Sequence, residues 1–273
     1  LDAIMAFFSG AKEVTGTWDG KLAYNDLPYP LAAAGKGGET PTGATAKVWT
    51  FDYASLTPDS FEYLTDQWGD DTSASDGIRA YGGVVDSYSI GFPESLEAMD
   101  LSAQLVYADA DMATDRTAGL VVDANPTWVY GADVEWFLDT TTGAIGTTKW
   151  TDAIHRIVWQ WNNNLDRKRF ANGSNTRFKL AGYGRGEREI TVAVTTSKTT
   201  ASMAEAATLD DDPVPDRFVE MKVTSPSIIT GSTPYSWSRR APARLLTRED
   251  GEIGGNTTIT LTYRVFYSST LTY

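Results

Sequence analysis

Two runs of alternating apolar and polar residues flank one short connection between positions 84 and 107, VVDSYSIGFPESLEAMDLSAQLVY. Val84, Tyr88, Ile90 and Phe92 share one side of the first run, Val85, Ser87 and Ser89 share the other, and Asp86 interrupts the apolar side. In the second run Leu101, Ala103, Leu105 and Tyr107 alternate with Ser102 and Gln104. A period of two marks half-buried strands, so the pair predicts an antiparallel hairpin with Pro93 to Met99 as its connection. Two strands with one apolar face are not stable alone in water, so the rest of the chain must supply a cover.

The same period recurs further on. Trp128, Tyr130, Val134, Trp136 and Leu138 predict one unusually long strand. Ile157, Trp159 and Trp161 predict another, followed by Ile190, Val192 and Val194, by Val219, Met221 and Val223, and finally by Ile259, Leu261, Tyr263, Val265 and Tyr267. KVWTFDY at 47–53 is a short strand candidate, whereas FEYLTDQW at 61–68, after Thr57 and Pro58, fits a capped helix or a strand. The Ala-rich run TASMAEAATL at 200–209 predicts a helix, with Ser202 as its N-cap, Glu205 in capping-box spacing, and DDDPVPD ending it. Residues 1–46, with their Gly, Pro and Ala clusters, read as an extended arm with loops, and 69–77 and 109–125 read as irregular polar segments.

Three strands in the first half, DSYSIGF, DLSAQLVYA and TWVYGADVEWFLD, occur in the same order as RIVWQW, REITVAVTT and RFVEMKVTS in the second. Duplication and chance both produce such a match in an all-β chain. The division it implies places an N-terminal arm, a long loop and a first β half in 1–145, and a second β half with its helix in 146–273.

Composition narrows the classes. With 273 residues, 41% of them hydrophobic, the chain can bury a sizeable core. It has no Cys, so neither disulfides nor thiolate metal sites contribute. Asp and Glu outnumber Lys and Arg by 36 to 23, and a net charge of −13 argues against a grip on nucleic-acid phosphates. The opening LDAIMAFFSG has an apolar run too short to span a bilayer and predicts neither a signal peptide nor an anchor; the missing initiator Met points to processing or trimming.

Local motifs have ordinary readings. Gly182-x-Gly184-x-Gly186 lies between strands and opens no helix, so it reads as a hairpin turn or bulge, not a dinucleotide site. Asp109, Asp111 and Asp115 lack the Gly of a calcium loop, and Leu120 stands where the bidentate Glu belongs. His155 is the only His, which leaves zinc chemistry and a Ser-His-Asp triad without partners, so no metal and no cofactor is predicted. Two carboxylates are enough for a glycoside hydrolase, and nine Trp could form the platform of a secreted carbohydrate-binding sandwich. Trp128, Trp136, Trp159 and Trp161, however, sit at alternating strand positions where burial is the simpler account.

The run TGATAKVWTF, the hairpin VVDSYSIGF to DLSAQLVYAD, and the series RIVWQW, REITVAVTT, the helix and RFVEMKVTS resemble the major tail tube proteins of long-tailed bacteriophages, particularly those infecting actinobacteria. The resemblance spans about Thr42 to Tyr267 and rests on strand order more than on fixed residues. It implies a β-sandwich with one flanking helix whose inner sheet joins its neighbours into a ring, of six single-fold chains or three duplicated ones. Rings would stack into the tube of a virion tail, assembled in the host cytoplasm. Other tail proteins would sit at its ends, and DNA or a tape measure protein would pass through without tight binding. No catalysis, cofactor or membrane is implied. Under this reading Asp210, Asp211 and Asp212 become candidate acids of the lumen wall, the arm and the loop at 35–57 become ring-to-ring contacts, and an acidic wall would repel phosphate.

Overall fold

A computed structural model describes residues 14–37, 41–52, 64–68, 77–92, 97–114, 125–168 and 182–266. The strands are β1 (Val14–Lys21), β2 (Lys36–Gly37), β3 (Phe51–Asp52), β4 (Leu64–Trp68), β5 (Gly77–Phe92), β6 (Asp100–Tyr107), β7 (Asp109–Thr114), β8 (Val134–Asp139), β9 (Ile154–Asn162), β10 (Leu165–Lys168), β11 (Gly182–Arg185), β12 (Glu189–Ser197), β13 (Asp216–Thr230), β14 (Thr233–Ile253) and β15 (Asn256–Val265). The helices are α1 (Pro28–Ala34) and α2 (Thr200–Ala207). The protein is mainly β, as its alternation predicts.

One antiparallel sheet dominates, in the order β1-β6-β5-β9-β12-β15-β14-β13-β8, with β4 and β7 flanking the first half of β5. Strands from both sides of residue 145 interleave in it. The matched triplets are β5, β6, β8 and β9, β12, β13; β5 lies antiparallel beside β9, β6 and β12 lie outside them, and β8 lies antiparallel beside β13. That is a two-fold placement, which closes on itself instead of propagating.

Register explains the core. One row crosses seven strands as Gly20, Leu101, Ile90, Trp159, Val192, Tyr263 and Leu245. All but Gly20 are at least 97% buried. Each large side chain in such a row contributes about 1.5–3 kcal/mol by leaving water. β14 then turns the sheet back on itself. Its residues 233–244 pair with β13 and its residues 243–253 with β15, so one strand serves two stretches. Through this turn Arg239 of β14 comes to lie over the rings of Trp159, Tyr88 and Trp161 at 4.5, 5.2 and 5.4 Å, and Trp136 of β8 meets Tyr263 at 6.4 Å. The cover that the hairpin requires is therefore the β14-β13-β8 return.

The hairpin forms as predicted, with one correction. A bulge at Asp86 shifts the register, so Val84 and Val85 are both buried. The freed Asp86 carbonyl accepts from Asn163 N–H at 2.7 Å, and its carboxylate from Leu165 N–H at 3.0 Å.

The long strand at 128–138 is broken. Residues 131–133 make a 3-10 turn in which Gly131 passes so close to Phe92 that a Cβ there would stand 2.8 Å from the Phe92 Cβ. Trp128 and Tyr130 bridge to Ala23 and Ala98, whereas β8 pairs with β13. The Pro- and Ala-rich part of the supposed arm is the helix α1, with Pro at its first turn and Leu27, Leu31 and Ala34 buried at helical spacing. Thr199, not Ser202, caps α2; Ser202 is the N3 partner of the capping box.

Among the described residues of KVWTFDY, Phe51–Asp52 forms a strand and Val48 bridges to Thr42, Tyr53 lying outside them; the ambiguous 57–67 segment is strand from Leu64, its earlier part also lying outside the described residues. Asp109–Thr114 pairs with β5 instead of looping out. Gly182, Gly184 and Gly186 belong to the β10-β11 hairpin and its exit.

Candidate assembly surface

The opposite face of the same seven strands is mainly polar and holds a cavity of about 340 Å³, lined by Ser89, Gly91, Asp100, Ser102, Arg156 and Val158 together with Phe92 and with Ile253 at the end of β14. Its central rows read Asp19, Ser102, Ser89, Gln160, Thr191, Arg264 and Lys21, Asp100, Gly91, Val158, Ala193, Thr262, Thr247. Flanking rows add Thr17, Gln104, Ser87, Asn162 and Glu189 on one side and Arg156, Thr195, Thr260 and Glu249 on the other. Apart from seven charged residues these side chains are mostly small, hydroxylic or amidic, and Thr195 and Thr260 bond across strands at 2.9 Å. Asp19, Asp100, Glu189 and Glu249 are offset by Lys21, Arg156 and Arg264, so the face is close to neutral although the chain is strongly acidic. Lys21 bridges Asp100 and Glu97 at 2.8 and 3.2 Å; the Asp100 hydrogen bond leads the causes that raise its pKa.

The sheet ends differently on its two sides. β1 pairs with β6 along its whole length, and among the described residues no strand pairs with its other edge. β8 is covered by its own chain: Leu138 N–H donates to Thr148, and Trp150 N–H to Trp136. The Asp139 carboxylate holds that cover in place, accepting from the N–H groups of Gly146, Thr147 and Thr148 at 2.8, 3.3 and 2.9 Å and from the Thr147 hydroxyl at 3.0 Å. Burial pushes the Asp139 pKa up, but the hydrogen bonds from Thr148, Thr147 and Gly146 outweigh it and hold the carboxyl below its ordinary range.

A second open stretch lies in the distal part of β14. There β15 is its one described strand neighbour, because β13 begins at Asp216 opposite Arg244, and Pro213 and Pro215 before it have no N–H with which to extend the ladder.

The sequence-predicted acids lie on the other side of the sheet. Arg248, whose register partner is the core residue Leu261, donates to Asp210 at 2.9 Å and to the Ala206 carbonyl at 2.8 Å. Asp210 is thereby ion-paired, and exposed Asp211 and Asp212 follow it on the side that α2 occupies. α2 is fixed there by buried Glu205, which accepts from Arg217 at 3.0 Å and from the Tyr263 hydroxyl at 3.3 Å; burial, then the Glu205 charge, raises the Tyr263 pKa. The seven-strand rows were visible in the sequence as the polar partners of each apolar alternation. Their alignment into one face depends on register.

A cavity of about 650 Å³ opens between residues 45–51, the start of α1 and the first half of β14, floored by Tyr24, Tyr235 and Trp237. Val48 and Trp49 on its rim are 57% and 44% exposed. His155 Nε2 lies 3.0 Å from Ser197 Oγ at the start of β9. Among the described residues no group of three His, Asp or Glu side chains could hold a metal, and no helix is long and apolar enough to cross a membrane. The chain matches no family model and no curated protein sequence.

Proposed function

We propose that the protein is the repeating subunit of a closed tube, a structural virion protein of the tail-tube kind through which DNA is delivered. The seven-strand stretch and its β14-β13-β8 return form a β-sandwich in this reading. Sheets of neighbouring copies join into a ring, rings stack, and the polar face lines the bore. The single observation that carries the reading is that face: seven strands wide, mainly polar, and ending at β1, whose outer edge no described strand pairs. A sheet with an open edge invites pairing with another chain, and ring closure removes the edge.

The polar rows replace Asp210, Asp211 and Asp212 as the bore lining. DNA would pass because a nearly neutral hydroxyl and amide wall releases few counterions on contact, so phosphates gain little by stopping. The two-fold placement of the matched triplets supports the whole chain as the repeating unit. The partners that follow are other copies of this chain, tail proteins at the tube ends, and DNA or a tape measure protein in transit, within a particle assembled in the host cytoplasm.

Negative-stain microscopy of purified, concentrated protein tests this: rings or tubes with a central hole are expected. Molecules that stay single at every concentration would sink it. The aromatic cavity beside exposed Trp49 favours one competing reading, carbohydrate binding. Its signature would be single molecules that retain polysaccharide in affinity electrophoresis and lose that retention on Trp49→Ala.

A further inference from the structure

Resting on the tube reading, we propose that the tip of the β14-β15 hairpin is a built-in cover: it keeps the free chain single by lying over the polar face, and it must lift before copies can join. The cavity on that face carries the argument. β6, β5 and β9, neighbours in the sheet, line it with Ser102, Ser89, Gly91, Arg156 and Val158 among others. Facing them is Ile253, the last residue of β14. In the plane of the sheet β12 and β15 stand between β9 and β14, yet neither contributes to the lining. Ile253 therefore reaches β9 and β5 over the face, not along it.

The local structure is that of a hinged arm. β12 supports β15 as far as Ser197, which pairs with Thr258. Residues 252–257 run past that rung as two strands with no third described strand beside them, closed by Gly254 and Gly255 at φ of +55° and +85°. Gly251 stands opposite Thr258 at the base of the overhang, where a residue without Cβ lets a strand bend. Lower down, the bulge between Leu245 and Thr247 adds twist to β14. Lys198 clips the base: its N–H donates to the Thr257 carbonyl at 3.0 Å, and its ammonium pairs with Asp250 at 2.9 Å.

Turning an edge out of line is one way in which folded chains avoid pairing with copies of themselves. Here the turned edge is the distal backbone of β14, whose one described strand neighbour is β15. The hold is light, consisting of one half-buried isoleucine at the tip and an ion pair at the base whose Asp250 carboxylate is exposed. Copies gathered side by side offer many contacts at once in exchange for that hold. The closed form thus suppresses growth from dilute chain and yields where assembly has begun.

The double variants Val158→Cys with Ile253→Cys, and Ser89→Cys with Ile253→Cys, put thiols on both sides of the cavity in a chain that has no native Cys. A short bis-methanethiosulfonate linker, which dithiothreitol removes, then pins the tip within one chain, as the intact mass of the single chain shows. Assembly is read by sedimentation and negative-stain microscopy, with single-Cys variants treated alike as controls for folding and labelling. Linked chains are expected to stay single and to assemble once reduced. Ile253→Ser, which weakens the seat without a linker, is expected to lower the concentration at which assembly begins by about tenfold. Linked chains that assemble as readily as reduced ones, or an unchanged threshold in Ile253→Ser, would overturn the cover and leave the tube reading standing. Thiols that react with a monofunctional reagent but never link within a chain would overturn the seat. Unaltered protein and Ile253→Ser both staying single at every concentration would overturn the tube reading, and the cover with it.

Discussion

The two margins of the large sheet invite comparison. At β8 the chain returns to satisfy its own edge and anchors the return with a carboxylate that collects three backbone N–H groups. At β1 no described strand does so, and the exposed positions Thr15, Thr17 and Asp19 are left beside open backbone. Sequence can close an edge when closure serves the fold, and here it does so once. The tube reading takes the open side as its contact surface.

The comparison can be broken most severely at β8. Replacing Asp139 with Ala leaves three N–H groups without their acceptor and is expected to destabilise the protein by about 3 kcal/mol, measured as a fall in the urea midpoint. An unchanged midpoint would mean that the cover holds itself. The same carboxylate gives the margin an acid limit. Its folded pKa lies below the unfolded value of about 3.9, so its contribution is complete above roughly pH 4 and is lost as pH falls through the lower folded value. Stability profiles of Asp139→Asn and the parent should therefore converge in acid, and parallel curves would refute the link.

Gly146→Ala should cost about 1–2 kcal/mol. Its φ of +81° suits Gly, and an added Cβ would run into the buried Glu220 carboxylate. Lys149→Ala, which removes a 2.7 Å pair with Glu135 at the surface, should change stability by less than about 0.5 kcal/mol. The smallest thermodynamic effect is expected on the open side, where Thr17→Lys should leave the melting curve in place. A lysine on an edge that no described strand pairs discourages pairing, so in the tube reading the same variant should lose rings under the microscope; rings that persist would exclude β1 from the contact between copies.

Much of the architecture was legible in strict alternation. Ile157, Trp159 and Trp161, and likewise Val219, Met221 and Val223, are buried where the period of two puts them. The longest strand was not. In β14 the inward positions run Tyr235, Trp237, Arg239, Ala241, Ala243 and Leu245, and a buried Arg together with Pro234 and Pro242 hides the pattern. Arg239 is tolerated inside because it lies over three aromatic rings contributed by β5 and β9, partners that no local window contains. α1 was missed for a related reason, since seven residues with two prolines resemble a loop until their apolar side is seen against the core. The candidate surface was half legible: charge drew attention to Asp210, Asp211 and Asp212, whereas the polar partners of each alternation become one face only when seven strands are aligned.

Because β14 belongs to both stretches of the sheet, it acts as a shared spine. The two ladders overlap at Ala243 and Arg244, which pair on both sides, so a pull on either stretch is carried to the other through β14 itself. Slow amides in β13 and β15 should then open with a common free energy, as one mechanical unit. In the tube reading, an assembly under load would thus fail between its copies before it failed within one.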